Sequence, residues 1–273
     1  MTTAATGAPP AIHSLVAPAE WSAIDFISDI HLAIDMPRTF EAWAAYLLAT
    51  PADAVFILGD LFDAWVGDDA RSEGFDAKCA ELLAQAARRR RIGLMVGNRD
   101  FLLGEAMLAD CGLLGLPDPT VLHAFGERVL LTHGDALCLA DTEYQRFRAM
   151  VRNPQWQAMA LRVPLAERRR LAAQMRHASE QRNAEGLLPA DAADLSTDAT
   201  LAWLSAADAQ VLVHGHTHRP GSEALAAGIV RHVLTDWDLD HATRGARAEV
   251  LRFTSGGFER LAPAQAMQAT PAP

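Results

Sequence analysis

The sequence predicts an α/β sandwich, and three observations point to it. Five short apolar runs, at residues 23–27, 54–58, 92–96, 129–132 and 210–213, have strand length, and each stops at a polar cluster. Two of the gaps between them, 40–49 and 75–90, carry apolar residues at helical spacing. The 273 residues are 50% hydrophobic and 21% charged, globular proportions that leave ample length for a buried core and argue against a disordered or collagen-like chain. Strands alternating with helices build sheets covered by helices.

In chain order, residues 1–20 are rich in Ala, Pro and Thr and are expected to form a disordered N-terminal extension. The core is expected over 21–140 and 189–261, with two further strands at 229–234 and 248–253 forming a hairpin, and 262–273 a second disordered tail. Residues 141–188 break the alternation. They hold nine arginines against five acids, a net +4 that leaves −14 for the rest of the chain. Their apolar residues, Tyr144, Phe147, Trp156, Met159, Leu161 and Met175 among them, recur at helical spacing, and Pro154 and Pro164 punctuate the run. Two or three short helices forming a cap insertion are expected there.

The formal charge of −10 disfavours a protein that works by coating nucleic acid. Lys78 is the only lysine among the 24 basic residues. Cys79, Cys111 and Cys138 are odd in number and widely spaced, and read as reduced thiols packed in the core. No apolar run reaches the roughly 18 residues of a membrane span, and the N-terminus lacks a basic region followed by an apolar stretch, so a cytoplasmic protein is expected.

The polar cluster at the end of each strand carries the chemistry. The five words are Ser28-Asp29-Ile30-His31, Gly59-Asp60, Gly97-Asn98-Arg99-Asp100, His133-Gly134-Asp135 and His214-Gly215-His216-Thr217-His218. Taken singly, each reads as ordinary turn chemistry; five in succession at the carboxyl ends of five strands read as a ligand site. Asp29, His31, Asp60, Asn98, His133, His216 and His218 make seven candidate donors of carboxylate, amide oxygen and imidazole, a mixture that suits Mn²⁺, Fe²⁺ or Zn²⁺. About four ligands hold one ion, so seven with one shared carboxylate suffice for two, an arrangement suited to phosphate-ester hydrolysis.

The order Asp-x-His, Gly-Asp, Gly-Asn-x-Asp, His-Gly-Asp, Gly-His-Thr-His resembles the calcineurin-like metallophosphoesterase superfamily. That resemblance implies a four-layer α/β/β/α metallophosphoesterase sandwich with a dinuclear centre. Asp29, His31, Asp60 and His218 would hold one ion, and Asp60, Asn98, His133 and His216 the other, with Asp60 bridging. Arg99 stands where many members carry a histidine. Arginine cannot act as an acid at neutral pH, but its planar fork stabilises phosphate charge, which favours a diphosphate, whose leaving group needs little protonation.

Longer words, 57–69, 97–104, 132–138 and 214–220, are similar to the lipid A-pathway branch of that superfamily, whose members cleave UDP-2,3-diacylglucosamine to UMP and 2,3-diacylglucosamine 1-phosphate (lipid X); the similarity runs from about Trp21 to Phe258. It implies two Mn²⁺ per chain, a two-metal-activated hydroxide attacking the α-phosphorus, and catalysis through Asn98 and Arg99. Substrate contacts would fall on Asn98, Arg99, Asp141, Ser179, Asn183 and His216. A lysine that the branch carries after the cap asparagine has no counterpart, since Asn183 is followed by Ala184-Glu185-Gly186-Leu187. The branch further implies a monomer on the cytoplasmic face of the inner membrane, with Trp156, Met159, Leu161, Leu165 and Met175 lining an acyl-chain groove in the cap. Cap arginines are expected to attract the diphosphate or an anionic leaflet. Two other readings are a metallophosphoesterase of soluble substrates and a non-catalytic scaffold that binds a partner through the cap.

Overall fold

The computed structural model describes residues 9–184, 194–241 and 245–268, with the side chains of 177–184 excepted. Strand β1 (His13–Val16) precedes β2 (Ile24–Ile27), α1 (Pro37–Ala49), β3 (Ala54–Leu58), α2 (Gly74–Ala87), β4 (Arg91–Met95), α3 (Glu105–Cys111) and β5 (Leu114–Gly115). A hairpin of β6 (Thr120–Ala124) and β7 (Glu127–Thr132) comes after it, closed by Phe125 and Gly126, both at positive φ as a tight hairpin turn requires. Three consecutive helices come next, α4 (Thr142–Val151), α5 (Pro154–Ala160) and α6 (Leu165–Ala184). The chain returns through α7 (Thr197–Ala207), β8 (Val211–His214), β9 (Gly221–Ala226), β10 (Ile229–Val233), β11 (Val250–Thr254), β12 (Gly257–Leu261) and α8 (Pro263–Ala266).

These strands form two six-stranded sheets, ordered β1-β6-β7-β8-β10-β9 and β12-β11-β2-β3-β4-β5. Strands β2, β3 and β4 are fully apolar but for Asp25, Arg91 and Gly93, as parallel strands covered on both faces must be. One face of each sheet meets the other sheet through Phe26, Phe56, Leu58, Met95, Leu122, Leu131, Val213 and Phe253. The outer face of the second sheet packs on α1, α2 and α3 through Trp43, Leu47, Leu83 and Met107, and that of the first packs on α7 through Trp203 and Leu204. The layers are therefore helix, sheet, sheet, helix. All three cysteines are free and buried, and burial pushes their thiols up, Cys138 to about 12.

The structure corrects three expectations. Strands β10 and β11 do not pair: β10 pairs with β9 and β8 in one sheet, and β11 with β12 and β2 in the other. Each found its partner across a two-residue turn, at 227–228 and 255–256, the shortest closure available. Strand β9, exposed along most of its length, offers no apolar alternation to read. At the N-terminus, β1 joins the sheet edge parallel to β6, held by backbone bonds such as Ala17 N–H to the His123 carbonyl rather than by apolar burial. In the C-terminal segment, α8 buries Ala266, whose carbonyl accepts from Arg252. That guanidinium also meets Asp25 on β2 at 2.7 Å, and Asp25 accepts from Tyr46 and Thr50, a fully satisfied buried polar network tying α1, the sheet and α8 together.

Candidate metal centre

All five ligand-bearing words leave the carboxyl ends of parallel strands: β2, β3 and β4 from one sheet, and β7 and β8 from the other. The chain must turn abruptly there, and five of the seven donors do so themselves. Asp29, His31, Asp60, His216 and His218 all have φ between 51° and 67°. Asp and His tolerate this left-handed region better than most residues, but each such residue still costs on the order of 1 kcal/mol and persists because its surroundings over-determine it. The loops approach so closely that only glycine fits between them. A Cβ on Gly97 would lie 2.1 Å from Asp60 Oδ1, and one on Gly215 2.3 Å from Asp29 Oδ2.

The seven donors converge. Asp29, His31 and His218 offer ligand atoms within 4.8 Å of one another, and so do Asp29, Asp60 and His133. His31 Nε2 faces His218 Nε2 at 3.3 Å, and His218 Nε2 lies 3.5 Å from Asp29 Oδ1. On the other side, Asn98 Oδ1 lies 2.9 Å from His133 Nε2 and 2.8 Å from His216 Nδ1. His133 Nδ1 lies 2.8 Å from the Leu58 carbonyl, so that nitrogen donates and Nε2 faces the centre. Asp60 Oδ1 accepts the Arg99 backbone N–H at 2.8 Å and sits 3.8 Å from His133 Nε2.

Electron-pair donors packed this tightly require positive charge among them. Although burial opposes it, His133 is pushed up to about 9 by Asp60, Asp29 and Asp135. Burial, with Asp100 and Asp29, raises Asp60 to about 7 against the pull of His133. Burial would also raise Asp29, but His218 holds it well below the usual carboxylate range. Burial and the neighbouring His133 push His216 down to about 4. His31 Nδ1 is buried with no hydrogen-bond partner among the described residues. Oxygen and imidazole donors, an orphaned ring nitrogen and a glycine-lined cradle together fit a pair of divalent cations.

The remaining expected site residues divide. Arg99 is half-buried beside the donors, and no carboxylate pairs with its guanidinium among the described residues. Asp141 caps α4, accepting from Tyr144 N–H at 2.9 Å. Ser179 and Asn183 fall on α6, and their side chains lie outside the described residues. Of the cap arginines expected to attract the diphosphate or an anionic leaflet, several are engaged with the core, while Arg146 and Arg162 stay exposed. Arg168 bonds the Val66 carbonyl and Asp69, Arg169 pairs with Glu73 and Asp76, Arg176 with Asp63, and Arg148 with Asp135. The cap also exposes apolar side chains: Met159 is 63% exposed and Met175 51%, with Met150, Leu161 and Leu171 also open.

Three supporting carboxylates escaped the sequence reading. Asp100 accepts from Gly97 N–H at 2.6 Å and Leu61 N–H at 2.9 Å, stitching two ligand loops together. Asp135 accepts from Tyr144 and Arg148. Asp236 lies 3.3 Å from His218 Nδ1 and is tied to Arg247. The first two stood inside the motif words; Asp236 comes after a strand assigned to the wrong partner and carried no local signal.

The chain matches the family described as calcineurin-like phosphoesterase over residues 22–220. It is 43% identical to a Chromobacterium violaceum protein named UDP-2,3-diacylglucosamine hydrolase, over 88% of this chain and 98% of that one. Proteins of the same name from Ralstonia nicotianae and Xanthomonas axonopodis pv. citri are each 43% identical, over 85% and 78% of this chain and 89% and 90% of theirs.

Proposed function

The chain belongs to the calcineurin-like phosphoesterase family and is a metal-dependent phosphoester hydrolase, and we propose that it cleaves the diphosphate of UDP-2,3-diacylglucosamine to UMP and 2,3-diacylglucosamine 1-phosphate. The observation that carries this reading is the convergence of seven oxygen and imidazole donors beside Arg99, beneath a cap that exposes apolar side chains. The names of relatives 43% identical over most of the chain support the substrate.

Asp29, His31, Asp60 and His218 would hold one divalent ion and Asp60, Asn98, His133 and His216 the second, Mn²⁺ being the expected metal. Bound there, a pair of divalent ions would supply a nucleophile from water at neutral pH and a clamp on phosphoryl oxygens. The protein's own groups do the rest. The Leu58 carbonyl fixes the tautomer of His133 so that its Nε2 lone pair points inward. Arg99, anchored through its backbone to Asp60, presents its fork to the charge that develops on the phosphoryl oxygens. No acid is needed for the leaving phosphate monoester, which agrees with an arginine at this position. Residues 141–188 act as the cap; of the residues expected to line an acyl groove, Met159, Leu161 and Met175 are exposed to receive the acyl chains, as is Leu171, whereas Trp156 and Leu165 are half-buried. Substrate contacts fall on Asn98, Arg99, Asp141, Ser179, Asn183 and His216. Among the described residues no helix is long and apolar enough to cross a membrane, and the reading is of a monomer resting on the cytoplasmic face of the inner membrane.

Hydrolysis in ¹⁸O-labelled water tests the chemistry. Attack at the α-phosphorus puts the label in UMP; label in the sugar phosphate would overturn it.

A further inference from the structure

The two halves of the donor set are braced by different parts of the molecule. The Asp29–His31–His218 half is held from within the core: Trp237 N–H donates to the Asp29 carbonyl at 3.0 Å, and Asp236, tied to Arg247, faces His218 Nδ1. The Asn98–His133–His216 half is held by the first helix of the cap. From the C-cap of α4, Arg152 donates to the Gly97 carbonyl at 2.8 Å and the Val96 carbonyl at 3.2 Å, immediately before Asn98. Arg148 and Tyr144 bind the buried Asp135, two residues after His133, at 2.9 Å and 2.6 Å, and Gln145 bonds the Asp135 carbonyl at 2.8 Å. The Tyr144 ring lies 5.7 Å from that of His216. One helix thus touches all three loops that carry this half, whereas the braces of the other half, Asp236 and Trp237, both come from the core.

We infer that α4 is the positioning element for the Asn98–His133–His216 ion site, so that the first helix of the cap sets cation affinity at that site while Asp236 and Trp237 of the core set it at the other. Arg152 is a positioning residue here, acting through the Gly97–Asn98 backbone. The inference rests on the proposed two-ion centre. Outer partners of metal ligands typically change affinity about 10-fold to 100-fold, and the effect here is confined to one of two ions.

The test is Mn²⁺ titration of the chelator-stripped full chain, read by bound stoichiometry and by the electron paramagnetic resonance of the metal. Wild type is expected to bind two ions with an exchange-coupled spectrum. Arg152→Ala is expected to keep one ion at wild-type affinity, weaken the other about 10-fold to 100-fold, and show the six-line signal of an isolated ion at one equivalent and beyond. Arg152→Lys, which keeps one donor, should restore part of the loss. Tyr144→Phe removes a single hydroxyl and gives the same selective loss should Arg152→Ala not fold. Asp236→Asn is expected to weaken the opposite site, and adding it to Arg152→Ala should weaken both. Equal weakening of both ions, or of neither, in Arg152→Ala and Tyr144→Phe overturns the inference. Wild type binding a single ion overturns the two-ion reading instead.

Discussion

The metal centre and the cap are assembled by opposite means. The centre is fixed by backbone: five of its donors sit at positive φ, and its loops touch through glycines that admit no side chain. The cap is fixed by long side chains: Arg148, Arg152, Arg168, Arg169 and Arg176 reach from its helices to carbonyls and carboxylates of the core. Backbone geometry holds atoms to within the tolerance that ion coordination demands. Side-chain tethers allow a lid to be anchored while its apolar face stays open to solvent. The difference teaches that charge count alone misleads, since five of the nine arginines in 141–188 are engaged in holding the cap to the core.

The contrast between the two regions is sharpest at Asp60. Asp60→Ala removes the carboxylate proposed to be shared by both ions and should lower turnover by about 1,000-fold, as loss of the main charge-stabilising device does, with bound metal falling in parallel; turnover near wild type would sink the scheme. A backbone-built centre should also be intolerant of one methyl group. Gly97→Ala, whose Cβ would fall 2.1 Å from Asp60 Oδ1, is expected to cut kcat on the order of 100-fold while circular dichroism stays native. Arg99→Ala should cost a similar factor of about 100 in kcat but leave metal content intact, and loss of metal would show that its role is structural.

The cap should behave differently. Met159→Glu with Leu171→Glu is expected to raise KM for the acylated substrate roughly 10-fold, the scale of a few lost apolar contacts, with metal binding unchanged. A control remote from both regions is His232, which burial and the nearby Arg260 push down to about 4. Below its unfolded value of 6.5 the unfolded chain takes a proton that the folded chain refuses, so stability is lost as pH falls from 6.5 toward 4. His232→Gln should flatten that slope in urea midpoints measured at pH 7 and 4.5.

The same division explains what was legible in the sequence. Each donor lies within a few residues of a strand end, so the word Gly59-Asp60 or His216-Thr217-His218 carried strand, turn and ligand together, and the four layers came from the alternation around those words. Contacts between distant segments left no such trace. The pairing of β10 with β9 depended on a turn at 227–228 and on an exposed strand with no apolar alternation to mark it. Strand β1 gains its place by backbone bonding to β6 with little apolar burial. Asp25 reads as a polar interruption in a strand until Arg252, 227 residues later, completes its partners. Asp236 likewise becomes a brace for His218 only once two loops have met.

The most direct measurement is UMP release by the purified, chelator-stripped protein from UDP-2,3-diacylglucosamine and from unacylated UDP-N-acetylglucosamine, with and without added Mn²⁺. Metal-dependent release from the acylated substrate alone is expected if, as proposed, the centre supplies the chemistry and the cap selects the lipid. Equal release from both substrates would contradict the role given to the cap, and no release with any divalent metal would contradict the centre itself.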